Sequence, residues 1–150
     1  MIEVRCPTEA DTRAVARKLA ATIRPGDVIL LTGGLGVGKT MFTAGLAAGL
    51  GVEEPVVSPS FLLVRQYRTG FLPVVHVDVY RLATMNEFDD LEVWELAAGG
   101  VAVIEWGDAL EGAVPEDHLS VDFVVEPDET RVLRLTPSGS WIQRDLGLVA

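Results

Sequence analysis

The sequence predicts an α/β fold: a three-layer sandwich whose mixed, mainly parallel sheet also carries antiparallel hairpins. Residues 27–32 (DVILLT) and 101–105 (VAVIE) are apolar on both faces, which is typical of central strands covered by helices. A glycine-rich turn and a helix-compatible segment follow the first of these strands. Two further pairs of strand-like segments are separated by short turns, which favours hairpins. The length of 150 residues suits one domain spanning residues 1–150.

The first part of the chain alternates strands and helices. Thr8 is a predicted N-cap, because acidic residues follow it in the first turn and apolar residues then recur at helical spacing. Arg24-Pro25-Gly26 ends this helix, and Gly51 is expected just after the end of the second helix. The predicted elements are a strand at 2–6, a helix at 9–23, a strand at 27–32 and a helix at 39–50.

The second part of the chain is richer in strands. Thr69-Gly70-Phe71 and Pro127-Asp128-Glu129 are short enough to predict antiparallel hairpins between the segments that they join. The predicted elements are strands at 61–68 and 72–80, an acidic and mostly helical stretch with a break at 86–97, a strand at 101–105, a short helix from Asp108, strands at 118–126 and 130–136, and a last short helix or strand within 138–150.

Composition and charge narrow the classes of function. The net charge is -10 and the cations are scattered, so the chain lacks the basic patch of proteins that grip nucleic acid directly. No apolar run reaches the roughly 18 residues that a membrane span needs, and the polar N-terminus is unlike a signal peptide. Cys6 is the single cysteine and is expected to be buried on a strand. We therefore expect a cytoplasmic protein without a membrane partner.

The turn at residues 33–40 (GGLGVGKT) fits G-x-x-x-x-G-K-[ST], the phosphate-binding P-loop. Its glycines let backbone N–H groups surround phosphate oxygens, and the following helix points its positive end at them. Lys39 is expected to reach the β and γ phosphates, and the Thr40 hydroxyl to bind Mg²⁺. The predicted nucleotide-binding residues of the turn are Gly33, Gly36, Val37, Gly38, Lys39, Thr40 and Met41.

Two acids are candidates for the carboxylate that a P-loop site places near its metal. Glu105 ends the VAVIE strand, and Asp78 lies in VVHVDVY, where alternation puts His76, Asp78 and Tyr80 on one face. The alternatives are a polar outer face of a half-exposed strand for Asp78 and a surface position for Glu105. The P-loop favours a functional role for both acids, because a P-loop site needs a carboxylate near its metal and few acids of this sequence stand in such a position.

Ser60 and Trp106 are weaker candidates on sequence alone. Ser60 lies in SPSF, in a connection where many P-loop proteins carry a hydroxyl near the γ-phosphate, and the alternative is an ordinary proline turn. Trp106 follows Glu105 directly, and the alternative is a position in the core. Neither N-K-x-D nor D-x-x-G occurs, so ATP is the expected nucleotide. A small-molecule kinase stays open as the alternative function, although few arginines are available for a phosphate-clamping lid.

The ordered motifs GGLGVGKT, SPSF, HVDVYR and IEW resemble those of the bacterial TsaE (YjeE) family of small P-loop ATPases. The resemblance covers nearly the whole chain. It implies ATP or ADP and Mg²⁺ as ligands, weak ATPase activity, and a role in forming N6-threonylcarbamoyladenosine at position 37 of tRNAs that read codons starting with A. The implied partners are the TsaB and TsaD proteins, with tRNA contacted indirectly through their complex.

The resemblance also implies roles for individual residues. Thr40 and Glu105 would hold Mg²⁺, Lys39 would hold phosphate, and Asp78 would act near the γ-phosphate. Lys39, Asp78 and Glu105 are thus the expected catalytic residues. The resemblance places Ser60, Tyr80 and Trp106 beside the nucleotide and, more weakly, Thr12.

Two departures from the family pattern occur. Gly34 stands where the family usually has Asp, and Ser60 stands where Thr is usual. If the family Asp positions water or metal, the first departure predicts slower hydrolysis or a greater reliance on Asp78, whereas the second keeps the hydroxyl. An acidic segment after HVDVYR is either a solvated helix face or a docking surface for partner proteins; its members are Glu87, Asp89, Asp90, Glu92 and Glu95.

Overall fold

The computed structural model describes residues 1–34, 36–57, 64–79, 88–89, 91–105 and 114–148. The elements in chain order are β1 (Ile2–Cys6), α1 (Glu9–Ala20), β2 (Asp27–Thr32), α2 (Lys39–Gly49), β3 (Val64–Tyr67), β4 (Val74–Asp78), α3 (Val93–Leu96), β5 (Val101–Glu105), β6 (His118–Val125), β7 (Arg131–Ser138) and a 3-10 helix at Gly139–Gln143. None of the helices within these ranges has the length and apolar character that crossing a membrane requires.

The seven strands form one mixed sheet in the order β1-β7-β6-β2-β5-β4-β3. Its centre is parallel, since β2 pairs in parallel with β5 and β6, and β5 pairs in parallel with β4. The flanking pairs β3–β4, β6–β7 and β1–β7 are antiparallel. Both predicted hairpins and the predicted α/β class are therefore confirmed, and DVILLT occupies the middle of the sheet.

Helices cover both faces of the sheet, which makes three layers. On one face α1 and α2 pack on β2 and β5, with Leu19, Phe42, Ile29 and Val103 in a shared apolar core. The opposite face carries a smaller core, in which Phe88 and α3 cover apolar side chains from β2, β4 and β5. Burial on both faces explains why the central strands are apolar throughout rather than alternating.

The first helix begins as predicted and ends earlier than predicted. The Thr8 hydroxyl accepts a hydrogen bond from the Asp11 N–H at 3.2 Å, and Asp11 Oδ2 accepts one from the Thr8 N–H at 2.9 Å, which is a capping box. Residues 21–23 lie beyond the helix, whereas the spacing predicted it through residue 23. The backbone tightens there, because the N–H groups of residues 21–23 donate to carbonyls three residues earlier rather than four. The Thr22 hydroxyl also donates to the Leu19 carbonyl, at 2.8 Å.

The acidic stretch at 86–97 is less helical than predicted. Its regular helix is limited to Val93–Leu96, because Glu92 has a left-handed backbone (φ 53) that separates it from the helical residues 88 and 89. The expected break in this stretch therefore lies at Glu92. The predicted short helix from Asp108 and the start of the predicted strand at 61–63 fall outside the described residues.

A buried ion pair anchors the C-terminal tail to the centre of the sheet. Arg144 donates to both carboxylate oxygens of Asp27, at 2.6 and 3.1 Å, and its guanidinium lies 3.8 Å from the ring centroid of Trp141. Asp27 Oδ2 also accepts from the Arg24 N–H at 2.6 Å. The pair therefore joins the start of β2 to the segment that follows the 3-10 helix.

Candidate functional site

The turn between β2 and α2 has a backbone that requires glycine. Gly33, Gly36 and Gly38 have φ values of 143, 73 and 109, in the region that side chains disfavour. A Cβ atom at Gly33 would lie 2.9 Å from Val37 Cγ2 and 3.1 Å from the carbonyl oxygen of Phe123. The glycine at this position thus allows the turn to approach the backbone of β6 closely.

Lys39 closes the turn from the helix side. Its Nζ donates to the carbonyl oxygens of Gly33 at 2.7 Å and Gly34 at 3.0 Å, and the residue is 5% exposed. The ammonium is therefore held against the two residues that open the turn. This places a compact positive charge, little screened by water, where the sequence predicted a phosphate-binding lysine.

The start of α2 points at the same turn. Gly38 is the N-cap and has no side chain with which to cap the helix, and the first turn contains no acid. The Phe42 N–H makes the first helical bond, to the Gly38 carbonyl at 2.9 Å. A helix N-terminus carries a partial positive charge and directs N–H groups outward, which suits an anion. Thr40, the second residue of this helix, is half-buried.

Asp78 and Glu105 lie next to each other beside the turn. They end the neighbouring parallel strands β4 and β5 and are partners in the register, and Glu105 is also level with Leu31 of β2, two residues before Gly33. Carboxyl ends of parallel strands lie at one edge of a sheet, where ligands of open α/β folds bind. The structure therefore brings both predicted acids to the edge from which the turn starts.

The two acids are buried, which overturns the alternative of a solvent-facing strand. Asp78 is 6% exposed and Glu105 is 4% exposed. The predicted alternation along β4 is correct: Val75 and Val77 enter the core beneath α3, and Val74 shares the α2 face of the strand with Asp78. The polar face of β4 is covered because the sheet has helices on both sides. The alternation of side chains along one strand could not show that both sides are covered.

His76 joins this group, although the sequence analysis did not include it among the site residues. The residue is fully buried, and its Nε2 lies 2.6 Å from Glu105 Oε2. The available signal was its spacing, because His76 and Asp78 are two residues apart on one strand face. Its contact with Glu105 depends on β4 and β5 being neighbours, which local patterns do not reveal.

Arg131 is a second residue that the sequence analysis missed. From the start of β7 it donates to the carbonyl oxygens of Val37 (3.3 Å), Gly36 (3.1 Å) and Glu129 (2.6 Å). The guanidinium therefore braces the outer side of the turn against the β6–β7 hairpin. No feature of the sequence near Arg131 indicates this contact.

A cleft of about 220 Å³ opens beside the turn. Thr12, which the resemblance implied only weakly, lines this cleft together with three other predicted site residues, Gly36, Gly38 and Met41. The lining residues that matter here are Thr8, Thr12, Gly36, Gly38, Met41 and Arg131. Of the remaining predicted residues, Ser60, Tyr80 and Trp106 lie outside the described part of the chain.

The site can therefore hold an anion and, beside it, a cation. Positive charge comes from Lys39 and the start of α2, and negative charge from Asp78 and Glu105. Within the described ranges no three His, Cys, Asp or Glu side chains cluster as a complete metal site. A cation here would take further ligands from other oxygen atoms, such as those of water or of the anion.

Comparison with known proteins gives a consistent result. Residues 6–133 match the family model described as "Threonylcarbamoyl adenosine biosynthesis protein TsaE". The tRNA threonylcarbamoyladenosine biosynthesis protein TsaE of Bacillus subtilis is 40% identical over 131 residues, covering 87% of this chain and 82% of the relative. The Streptomyces coelicolor protein of the same name is 38% identical over 146 residues, covering 92% and 99%.

A solved structure agrees with the sequence matches. The crystal structure of YdiB from Bacillus subtilis superposes with a TM-score of 0.77 at 34% identity, covering 92% of this chain and 86% of that one. The family match spans most of the chain and includes both the glycine turn and the two acids. The chain therefore belongs to the TsaE family of tRNA threonylcarbamoyladenosine biosynthesis proteins.

Proposed function

We propose that this protein binds ATP or ADP with Mg²⁺, hydrolyses ATP slowly, and thereby supports the TsaB–TsaD complex in modifying adenosine 37 of tRNA. The observation that carries the proposal is the juxtaposition of a glycine turn closed by Lys39 with two buried carboxylates at the ends of neighbouring strands. Buried charges of both signs beside a glycine turn are typical of a site that binds a charged ligand.

The turn fits a chain of phosphates. Its backbone adopts conformations that glycine favours, and a side chain at Gly33 would collide with its surroundings. Lys39 would pair with the β and γ phosphate oxygens while keeping its place beside the Gly33 carbonyl. The N-terminus of α2 would add its N–H groups and partial charge to the same anion. The cleft beside Thr12 and Met41 is the place for the nucleoside.

The oxygen donors fit Mg²⁺. This cation takes one or two carboxylates together with substrate phosphates and water, so three protein carboxylates are not required. Thr40 and Glu105 would hold it, and when bound it would neutralise charge that develops on the phosphates. Asp78, in register with Glu105, would orient the attacking water. Because Asp78 is buried, its carboxylate would hydrogen-bond to that water rather than to bulk solvent.

The acidic surface supports an indirect contact with tRNA. The chain carries a net charge of -10, and Asp89, Glu92 and Glu95 are exposed around α3. Such a surface repels a phosphate backbone, because nucleic-acid binding depends on basic groups. We therefore assign tRNA binding to the TsaB–TsaD complex and assign nucleotide binding to this chain. The remaining acids of the segment, Glu87 and Asp90, lie outside the described residues.

Two measurements test the proposal. Calorimetry with ADP should show binding that strengthens when Mg²⁺ is added. Mass spectrometry of tRNA nucleosides should then show threonylcarbamoyladenosine after several turnovers only when this protein accompanies TsaB and TsaD. Absence of any heat with adenine nucleotides would refute the binding. Rapid ATP consumption on adding a small acceptor, with no effect on tRNA, would instead indicate a phosphotransferase.

A further inference from the structure

His76 occupies an unusual position for a polar ring. It lies in the middle of β4, fully buried, on the strand face that also carries Asp78. In the register His76 is level with Val103, so Glu105 is two residues further along β5. The side chains nevertheless meet, with Nε2 at 2.6 Å from Glu105 Oε2. The ring therefore reaches diagonally from β4 to the neighbouring strand β5, towards the carboxyl edge of the sheet.

The contact indicates which nitrogen donates. A carboxylate oxygen only accepts hydrogen bonds, and a neutral imidazole has a single N–H. Nδ1 is buried, and no partner for it exists in the described part of the chain. A proton on Nε2 gives that N–H its acceptor, whereas a proton on Nδ1 would leave a donor without one. The geometry thus favours the tautomer in which Nε2–H donates to Glu105.

We propose that His76 is a positioning residue for the cation site: its Nε2–H holds Oε2 of Glu105 and leaves Oε1 of that carboxylate for Mg²⁺. This inference rests on the proposed function, which assigns Mg²⁺ to Thr40 and Glu105. Carboxylates that bind metals are themselves commonly held by hydrogen bonds, and loss of such a partner costs about 10–100-fold in metal affinity or activity. Burial of both side chains means that water is a poor substitute for the ring.

The test compares two variants of the full chain. His76→Leu removes the donor, and His76→Gln retains one, since the glutamine amide nitrogen can reach the place of Nε2. Mn²⁺ affinity in the presence of ADP is measured by electron paramagnetic resonance, and ADP affinity is measured separately with EDTA. We expect His76→Leu to weaken Mn²⁺ binding about 10–100-fold, with ADP affinity in EDTA unchanged. His76→Gln should recover most of the Mn²⁺ affinity.

Other outcomes would contradict the inference. If folded His76→Leu bound Mn²⁺ as tightly as the original protein, His76 would have no positioning role. Equal losses of Mn²⁺ affinity and of ADP affinity in EDTA would show a general structural role instead. If the original protein itself bound no Mn²⁺ with ADP, the proposed function would be contradicted. This result differs from one in which only the positioning role of His76 fails.

A measurement without substitution of His76 covers the case in which the leucine variant does not fold. The chain has two histidines, so nitrogen-15 spectra of the original protein and of His118→Gln assign the His76 ring. We expect a signature with a proton on Nε2, the nitrogen that faces Glu105. A ring protonated only at Nδ1 would overturn the proposal, because Nε2 could not donate to Glu105.

Discussion

Among single residues, Asp78 and Glu105 are neighbouring carboxylates to which the proposed function gives different tasks. Both residues end central strands and both are buried, and Glu105 lies within hydrogen-bond distance of His76. The proposed division gives Glu105 to the cation and Asp78 to water. Removing the charge of Asp78 should therefore affect turnover more than binding.

Asp78→Asn tests this division. We expect ADP affinity within about threefold of the original, and ATP hydrolysis in the presence of TsaB, TsaD and tRNA to fall by about 10²–10⁴-fold, the usual worth of a positioned base. Calorimetry and phosphate release provide the two measurements. Asp145→Asn, at an exposed carboxylate of the tail, is the matched control. Parallel losses of ADP affinity and turnover would show that Asp78 serves binding instead.

Cys6 gives a second prediction for a single residue. The thiol is 1% exposed at the end of β1, as the sequence analysis expected, and burial raises its pKa. Because the thiolate is the reactive form, a raised pKa lowers reactivity at a given pH. Iodoacetamide at pH 8 should therefore modify the folded protein much more slowly than the same chain in urea. Equal rates in both conditions would show that the first strand is not held in place.

At the scale of the elements, the close approach of α1 and α2 depends on glycine. A Cβ atom at Gly45 would lie 2.3 Å from the Arg13 carbonyl oxygen, and one at Gly49 would lie 2.5 Å from the Ala20 Cβ. The two glycines are four residues apart and so share one face of α2. They let the backbones of the two helices approach closely, above the strand that leads into the P-loop.

Gly45→Ala sets two effects against each other. Alanine favours a helix over glycine by about 1 kcal/mol, but the new methyl group would meet the backbone of α1, which cannot move aside without shifting that helix. Overpacking typically costs about 1–3 kcal/mol, so we expect a net loss of stability. Urea unfolding measures it, with Gly99→Ala, which has open space, as a control expected within about 0.5 kcal/mol. A stabilised Gly45→Ala variant would show that the helices pack less closely.

For the molecule as a whole, the ion pair of Asp27 and Arg144 joins residues far apart in the chain. Their side chains are 8% and 6% exposed, and the bridge is bidentate. A second pair, Glu3 and Arg134, is half exposed at 50% and 46%. Water screens the exposed pair, whereas loss of one partner of the buried pair leaves an uncompensated charge in the interior.

Asp27→Ala should therefore lower the free energy of unfolding by about 3–5 kcal/mol, since the charge of Arg144 would lose its partner. Glu3→Ala should cost less than about 1 kcal/mol. Urea unfolding followed by circular dichroism gives both values under the same conditions. Similar small effects of the two variants would mean that the tail is not fixed by its buried pair.

The periodicity of the chain by itself determined which segments become helices and strands. Apolar runs marked β2 and β5, short turns marked both hairpins, and the P-loop pattern marked the turn before α2, because each of these signals is local. Boundaries were predicted less accurately, as the early end of α1 at Ala20 and the break at Glu92 illustrate. A tightened last turn marks the first of these boundaries and a left-handed residue marks the second.

Only the tertiary structure decided which strands are neighbours, and the candidate site depends on that order. Strands β4 and β5 adjoin, so Asp78 stands level with Glu105, and His76 reaches the same carboxylate. Arg131 meets Val37 across 94 positions of sequence. These contacts arise when two helical layers cover the sheet and pack its strands in one order. No local pattern reports that order, because it minimises the free energy of the whole domain rather than of any one segment.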